Sequence, residues 1–98
     1  MAHRLAPKAE LDLDDIWHYV ATNASIETAD RLVDSLTMRF FLLSRYPRVG
    51  RRRDHLRPGI RSVPVGEYIV LYRLEGEDVL ILRVVRGRRD LEALLLEE

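Results

Sequence analysis

The chain has no cysteine among its 98 residues, which rules out a disulfide framework, a thiolate nucleophile and any cysteine-based zinc site. Histidine is scarce, with His3, His18 and His55 lying far apart and forming no i, i+4 pair, so the spacing of a histidine metal site is missing too. No apolar run approaches the roughly 18 residues that cross a bilayer. The opening MAHRLAPKAELDLDD also lacks the apolar stretch of a secretion signal. The resulting expectation is a cytoplasmic chain with no membrane partner, no metal and no cofactor.

The residues that are present suit one small domain. A chain with 47% hydrophobic and 33% charged residues reads as one globular domain over residues 1–98, near the lower size limit for a self-sufficient core. Its formal net charge is zero, yet the charge is unevenly placed. Residues 1–44 sum to −3, residues 45–61 to +6 and residues 62–98 to −3. The positive block includes PRVGRRRDHLRPGIR, Pro47 to Arg61, with six arginines and one aspartate. Such a block can concentrate positive potential for an acidic partner, or it can be a solvated connection, and composition alone leaves both open.

Periodicity gives the elements. Pro7 suits a first helical turn, and Ala9, Leu13, Ile16 and Val20 recur at helical spacing, so helix one is expected from about Pro7 to Thr22. Ala6 offers no side-chain cap, which leaves Asp12, Asp14 and Asp15 to act by charge. Ser25 is a good N-cap for a second helix carrying Ala29, Leu32, Val33, Leu36, Phe40 and Leu43 and ending at Tyr46-Pro47. The short turn between them predicts an antiparallel hairpin. The period then falls to two, predicting strands at about Ile60–Val65, Tyr68–Leu74 and Val79–Val85 as a meander. AHRLA at the start can add an edge strand, and DLEALLLEE at the end reads as a short helix capped by Asp90.

With Gly76-Glu77 as the hairpin tip, Leu74 pairs with Val79, Ile69 with Val84 and Leu71 with Leu82. That aliphatic face is the expected seat of the helical hairpin. The opposite face would then hold Tyr68 by Val85, Val70 by Arg83 and Tyr72 by Ile81. Tyr and Arg are anchor types at interfaces, so this face is either a partner groove or a surface that the tail covers.

In order and spacing, DLDDIWHYV, ADRLVDSL, YPRVGRRRDHLRPGIRSVPVGEYIVLYRL and ILRVVRGRRDLEALL resemble toxins of the RelE/ParE superfamily, ParE branch. The loop is similar to the family pattern NP-x-x-G-R-x-R-x-D-L-R-P-G-x-R with Tyr46 in place of Asn, and Arg86-Gly87-Arg88-Arg89-Asp90 is similar to the terminal H-G-x-R-D turn. The resemblance implies an α+β fold: an edge strand, a helical hairpin on a three- to four-stranded antiparallel sheet, and a short C-terminal helix. It also implies the toxin of a type II toxin–antitoxin module, neutralised by a ParD-like or similar antitoxin. The target would be DNA gyrase in the ParE manner, or ribosome-bound mRNA in the RelE manner.

The residues separate those branches. Cleaving a phosphodiester requires a base, an acid and charge stabilisation. Arg83 and Arg89 could stabilise phosphate, but the one lysine is Lys8 in helix one, the tail has neither Tyr nor His, and Pro64 stands where RelE-like sequences have arginine. His55 is the remaining proton-transfer candidate. The expectation is a non-catalytic toxin, with an endoribonuclease or a non-toxic antitoxin-binding remnant as alternatives. Candidate target-binding residues are Arg86, Arg88, Arg89, Arg51, Arg52 and Arg53, and candidate antitoxin-binding residues are Tyr68, Tyr72, Arg83 and Trp17. Asp54 and Arg57 could pair to shape the loop. Direct sequence-specific nucleic-acid binding is not expected, because the segment is no recognition helix and has no interleaved aromatics.

Overall fold

The computed structural model describes residues 2–87. Strand β1 spans His3–Leu5, helix α1 Pro7–Asn23, helix α2 Ile26–Arg45, and strands β2, β3, β4 and β5 span Arg51–Arg52, Ile60–Val65, Tyr68–Glu75 and Asp78–Arg86. Pro7 occupies the first turn of α1, and Ala6 before it supplies no side-chain cap. Ser25 caps α2 by accepting the Thr28 N–H at 3.1 Å, which satisfies one of the orphan donors of the first turn. Among the described residues no helix is long and apolar enough to cross a membrane, and no cluster of side chains could hold a metal. The expected terminal helix lies outside the described residues.

The sheet has five strands in the order β1-β5-β4-β3-β2. Two features depart from the expected antiparallel meander. Strand β1 joins β5 in parallel, pairing His3 with Val79 and Leu5 with Ile81, because the chain returns to that edge only after the hairpin and the meander. Strand β2 pairs Arg51 with Ser62 and Arg52 with Arg61. Two residues are too few to show a period.

The register also departs from expectation, and the helices sit on the opposite face of the sheet from the one expected. Leu74 pairs with Val79 and Tyr72 with Ile81 as expected, but beyond a shift at Leu71/Tyr72 the partners are Leu71 with Arg83, Val70 with Val84, Ile69 with Val85 and Tyr68 with Arg86. Leu82 is the extra residue of a β-bulge, which moves the alternation of β5 by one. Val79, Ile81 and Val84 therefore share a face with Tyr68, Val70 and Tyr72, and that face packs against Ile16, Leu36, Phe40 and Leu43 of the helices. The expected seat, Ile69 and Leu71, instead joins Leu82, Ile60, Leu80 and Leu56 in a second cluster. Both faces are apolar, so pattern alone could not choose between them. The tyrosine face has the advantage that the Tyr72 hydroxyl finds hydrogen-bond partners in the turn leaving α2, which a buried phenol requires.

Candidate protein-docking surfaces

The arginine loop is fixed from below. Tyr72 is fully buried, and its hydroxyl donates to the Pro47 carbonyl at 2.8 Å while accepting the Gly50 N–H at 2.9 Å. Burial raises the Tyr72 pKa, the Gly50 N–H and the Arg61 charge opposing it. A Cβ at Gly50 would run into that hydroxyl, with the ring carbon Cε1 only 2.7 Å away, so the close approach needs glycine. From β3, Arg61 donates to the carbonyls of Gly50 at 2.9 Å and Arg48 at 3.2 Å. Four backbone groups of one short turn are thus held by side chains of the sheet.

Farther along, Asp54 ties the loop to itself. Its carboxylate accepts the Gly59 N–H at 3.0 Å and is paired with Arg52, at 2.9 Å to Nε and 2.7 Å to the second nitrogen. The Gly59 N–H holds its pKa below the ordinary 3.8, with burial opposing it and Arg52 and Arg61 adding to the lowering. Arg53 donates from Nε to the Ser62 hydroxyl at 2.9 Å. His55 is exposed in the turn that follows.

The three consecutive arginines do not act as one patch. Successive residues of a strand point to opposite faces, so Arg52 shares the helix face with Arg61 and Tyr72, whereas Arg51 lies opposite Ser62 on the other face. Arg53 is tethered to Ser62 and Arg52 to Asp54. Arg51 makes no side-chain hydrogen bond or ion pair among the described residues. Arg86 is elsewhere again. Its row runs through Tyr68 and that of Arg52 through Tyr72, so the two rows are four residues along and three strands across, or about 20 Å apart at standard sheet spacings. Arg88 and Arg89 lie outside the described residues.

The second surface is a cleft of about 260 Å³ between α1 and β5, lined by Asp12, Asp15, Ile16, Tyr19, Tyr68 and Arg86 among others. It opens where β5 continues past its pairing with β1. Asp12 closes its floor: the carboxylate accepts Arg83 Nε at 2.8 Å, the second Arg83 nitrogen at 3.0 Å and the Val84 N–H at 2.9 Å. One acid on α1 thereby satisfies both a buried guanidinium and the backbone edge of β5. At the rim, Arg86 stands 5.4 Å over the Tyr19 ring and 3.4 Å from Glu67, an exposed cation–π and ion-pair arrangement.

The candidate antitoxin residues thus separate by burial. Tyr72 and Arg83 are spent on internal bonds, and Tyr68 is 7% exposed at the cleft wall. Trp17 donates its indole N–H to Asp30 of α2 at 2.8 Å, linking the hairpin. Sequence reasoning missed Asp12 as the partner of Arg83. Near the start of α1 it reads as an acid acting on the helix end by charge, and no local signal connects it to a residue 71 positions away.

Three comparisons with known proteins agree. Residues 4–91 match the family model described as ParE toxin of type II toxin-antitoxin system, parDE. Toxin ParE3 of Caulobacter vibrioides is 44% identical over 84 residues, covering 86% of this chain and 84% of that protein. Toxin ParE1 of Mycobacterium tuberculosis is 29% identical over 89 residues, covering 90% and 91%. Among solved structures, the chromosomal ParDE TA system from P. aeruginosa superposes with a TM-score of 0.77 at 25% identity, covering 88% of this chain and 95% of that one. The RelBE2 toxin-antitoxin complex of M. tuberculosis gives 0.57 at 31% identity, covering 87% and 95%.

Proposed function

Because the chain belongs to the ParE family of type II toxin–antitoxin toxins, we propose that a small cognate antitoxin holds it inactive and that, once released in the cytoplasm, it inhibits DNA gyrase by binding rather than by catalysis. The chemistry of the arginine loop carries this reading. Every cation fixed there is a guanidinium, which stays protonated and so serves neither as base nor as acid. Hydrolytic or transfer chemistry on a phosphodiester needs both. Lys8 stands on α1 and His55 on an exposed turn, and neither is among the cations fixed in the loop.

The antitoxin is assigned to the α1–β5 cleft. Tyr19, Tyr68 and Arg86 line it, so aromatic and cationic anchors stand beside an unextended sheet edge, a combination suited to an amphipathic segment with acidic residues. Because Tyr72 and Arg83 are buried, Arg83 supports the cleft through Asp12 and Tyr72 supports the arginine loop, rather than contacting the partner. The test is coexpression and cleavage mapping. Growth arrest relieved by the product of an adjacent small reading frame, with no mRNA cleavage during arrest, is the expected result. Translation-dependent cuts in mRNA would transfer the assignment to the endoribonuclease class, to which the likeness to the RelBE2 complex points.

A further inference from the structure

The turn leaving α2 turns large apolar side chains to solvent. Tyr46 is 61% exposed and Val49 67%, and they alternate in sequence with Arg45, Arg48 and Arg51, which are also exposed. None of these arginines has a side-chain hydrogen bond or ion pair among the described residues. A free turn would gain by folding Val49 back on the protein. This turn is held out, because Tyr72 and Arg61 together bind Pro47, Arg48 and Gly50 through their backbone groups.

We propose that residues 45–51 form a preorganised docking epitope for an acidic protein surface on the toxin's target, with Tyr72 as the buried positioning residue that fixes it. Tyr46 and Val49 enter an apolar recess, and Arg45, Arg48 and Arg51 meet carboxylates around it. The proposal rests on reading the chain as a toxin that acts by protein binding, and it adds which surface meets the target. Ordering the epitope before contact reduces the entropy lost on binding. A second copy of the chain is a poor occupant, since it would set these arginines against their own kind. A nucleic-acid backbone is a poor one too, because phosphates offer Val49 nothing to bury against.

The experiment compares three variants in the full chain by growth arrest on induction, thermal unfolding and antitoxin affinity. Arg48→Glu with Arg51→Glu should reduce killing at least tenfold with melting temperature and antitoxin affinity unchanged, since both side chains are exposed and the antitoxin sits elsewhere. Tyr72→Phe should reduce killing and speed amide exchange at Gly50. Added to Arg48→Ala with Arg51→Ala, it should reduce killing no further, a non-additivity that a purely structural tyrosine would not show. Full toxicity of the charge-reversed variant, or an equal effect of Tyr72→Phe in both backgrounds, overturns the epitope and leaves the toxin reading standing. A wild-type chain that arrests nothing overturns both. Duplex DNA binding by the wild type that the charge reversal abolishes would reassign the arginines to nucleic acid and likewise overturn the proposal.

Discussion

Replacing Asp12 by alanine should be among the costliest single changes in the protein. Its carboxylate is the shared acceptor for Arg83 and the Val84 N–H, and the pair is deeply placed, with 9% of the Arg83 and 13% of the Asp12 side chain exposed. The substitution takes from a buried guanidinium the carboxylate that binds it through two nitrogens, and breaking a buried pair costs about 3–5 kcal/mol. Against a total stability of about 5–15 kcal/mol for a domain of this size, that is a large fraction. At about 4–8 °C per kcal/mol for a domain under 100 residues, the melting temperature should fall by roughly 12 °C or more. Arg83→Met in the Asp12→Ala background should recover most of the loss, because it removes the charge that Asp12 balanced and keeps the volume. The assay is a double-mutant cycle by urea unfolding. An Asp12→Ala variant within about 1 kcal/mol of wild type would refute the argument, since only a solvated pair behaves so. The same geometry predicts that Arg83→Glu damages the fold before it affects any partner, by setting a second carboxylate against Asp12.

Gly50→Ala should destabilise by about 1–3 kcal/mol in thermal unfolding, because the new methyl meets the Tyr72 ring and hydroxyl. Ser25→Ala should cost about 1 kcal/mol through loss of the α2 cap, read in the same way. Asp54 has a depressed pKa in the folded chain, so its contribution to the loop is complete above the unfolded value of 3.8 and disappears as pH falls through the lower folded value. A carboxyl NMR titration should therefore place its midpoint below 3.8, with Gly59 amide exchange accelerating as it protonates. His55→Ala should leave growth arrest intact; loss of toxicity in folded protein would restore a nuclease role for this side chain.

What the sequence made legible was set by local rules. The stripes of α1 and α2, the Ser25 cap and the three meander strands follow from periodicity and capping, and the observed bounds of β3, Ile60–Val65, match those expected. The bulge was not legible, because LILRVV carries no glycine or proline to mark an extra residue. That single residue at Leu82 moves the alternation of β5, so that Val84 rather than Arg83 stands beside Val70 on the face that meets the helices. The arginine loop could be located from composition, but its division between two sheet faces depends on the pairing of β2 with β3. Long-range polar commitments were hidden for a related reason. Asp12 reaches Arg83 and Tyr72 reaches Pro47 and Gly50 across separate elements, and nothing local at either end anticipates a partner so distant in the chain.

Supercoiling by purified DNA gyrase, titrated with the purified toxin alone and with its antitoxin in equimolar complex, tests the central claim most directly. The account predicts that free toxin inhibits supercoiling, that the antitoxin restores it, and that Arg48→Glu with Arg51→Glu inhibits at least tenfold less while melting like wild type. Undiminished supercoiling at every concentration of a toxin that still arrests growth would contradict the account.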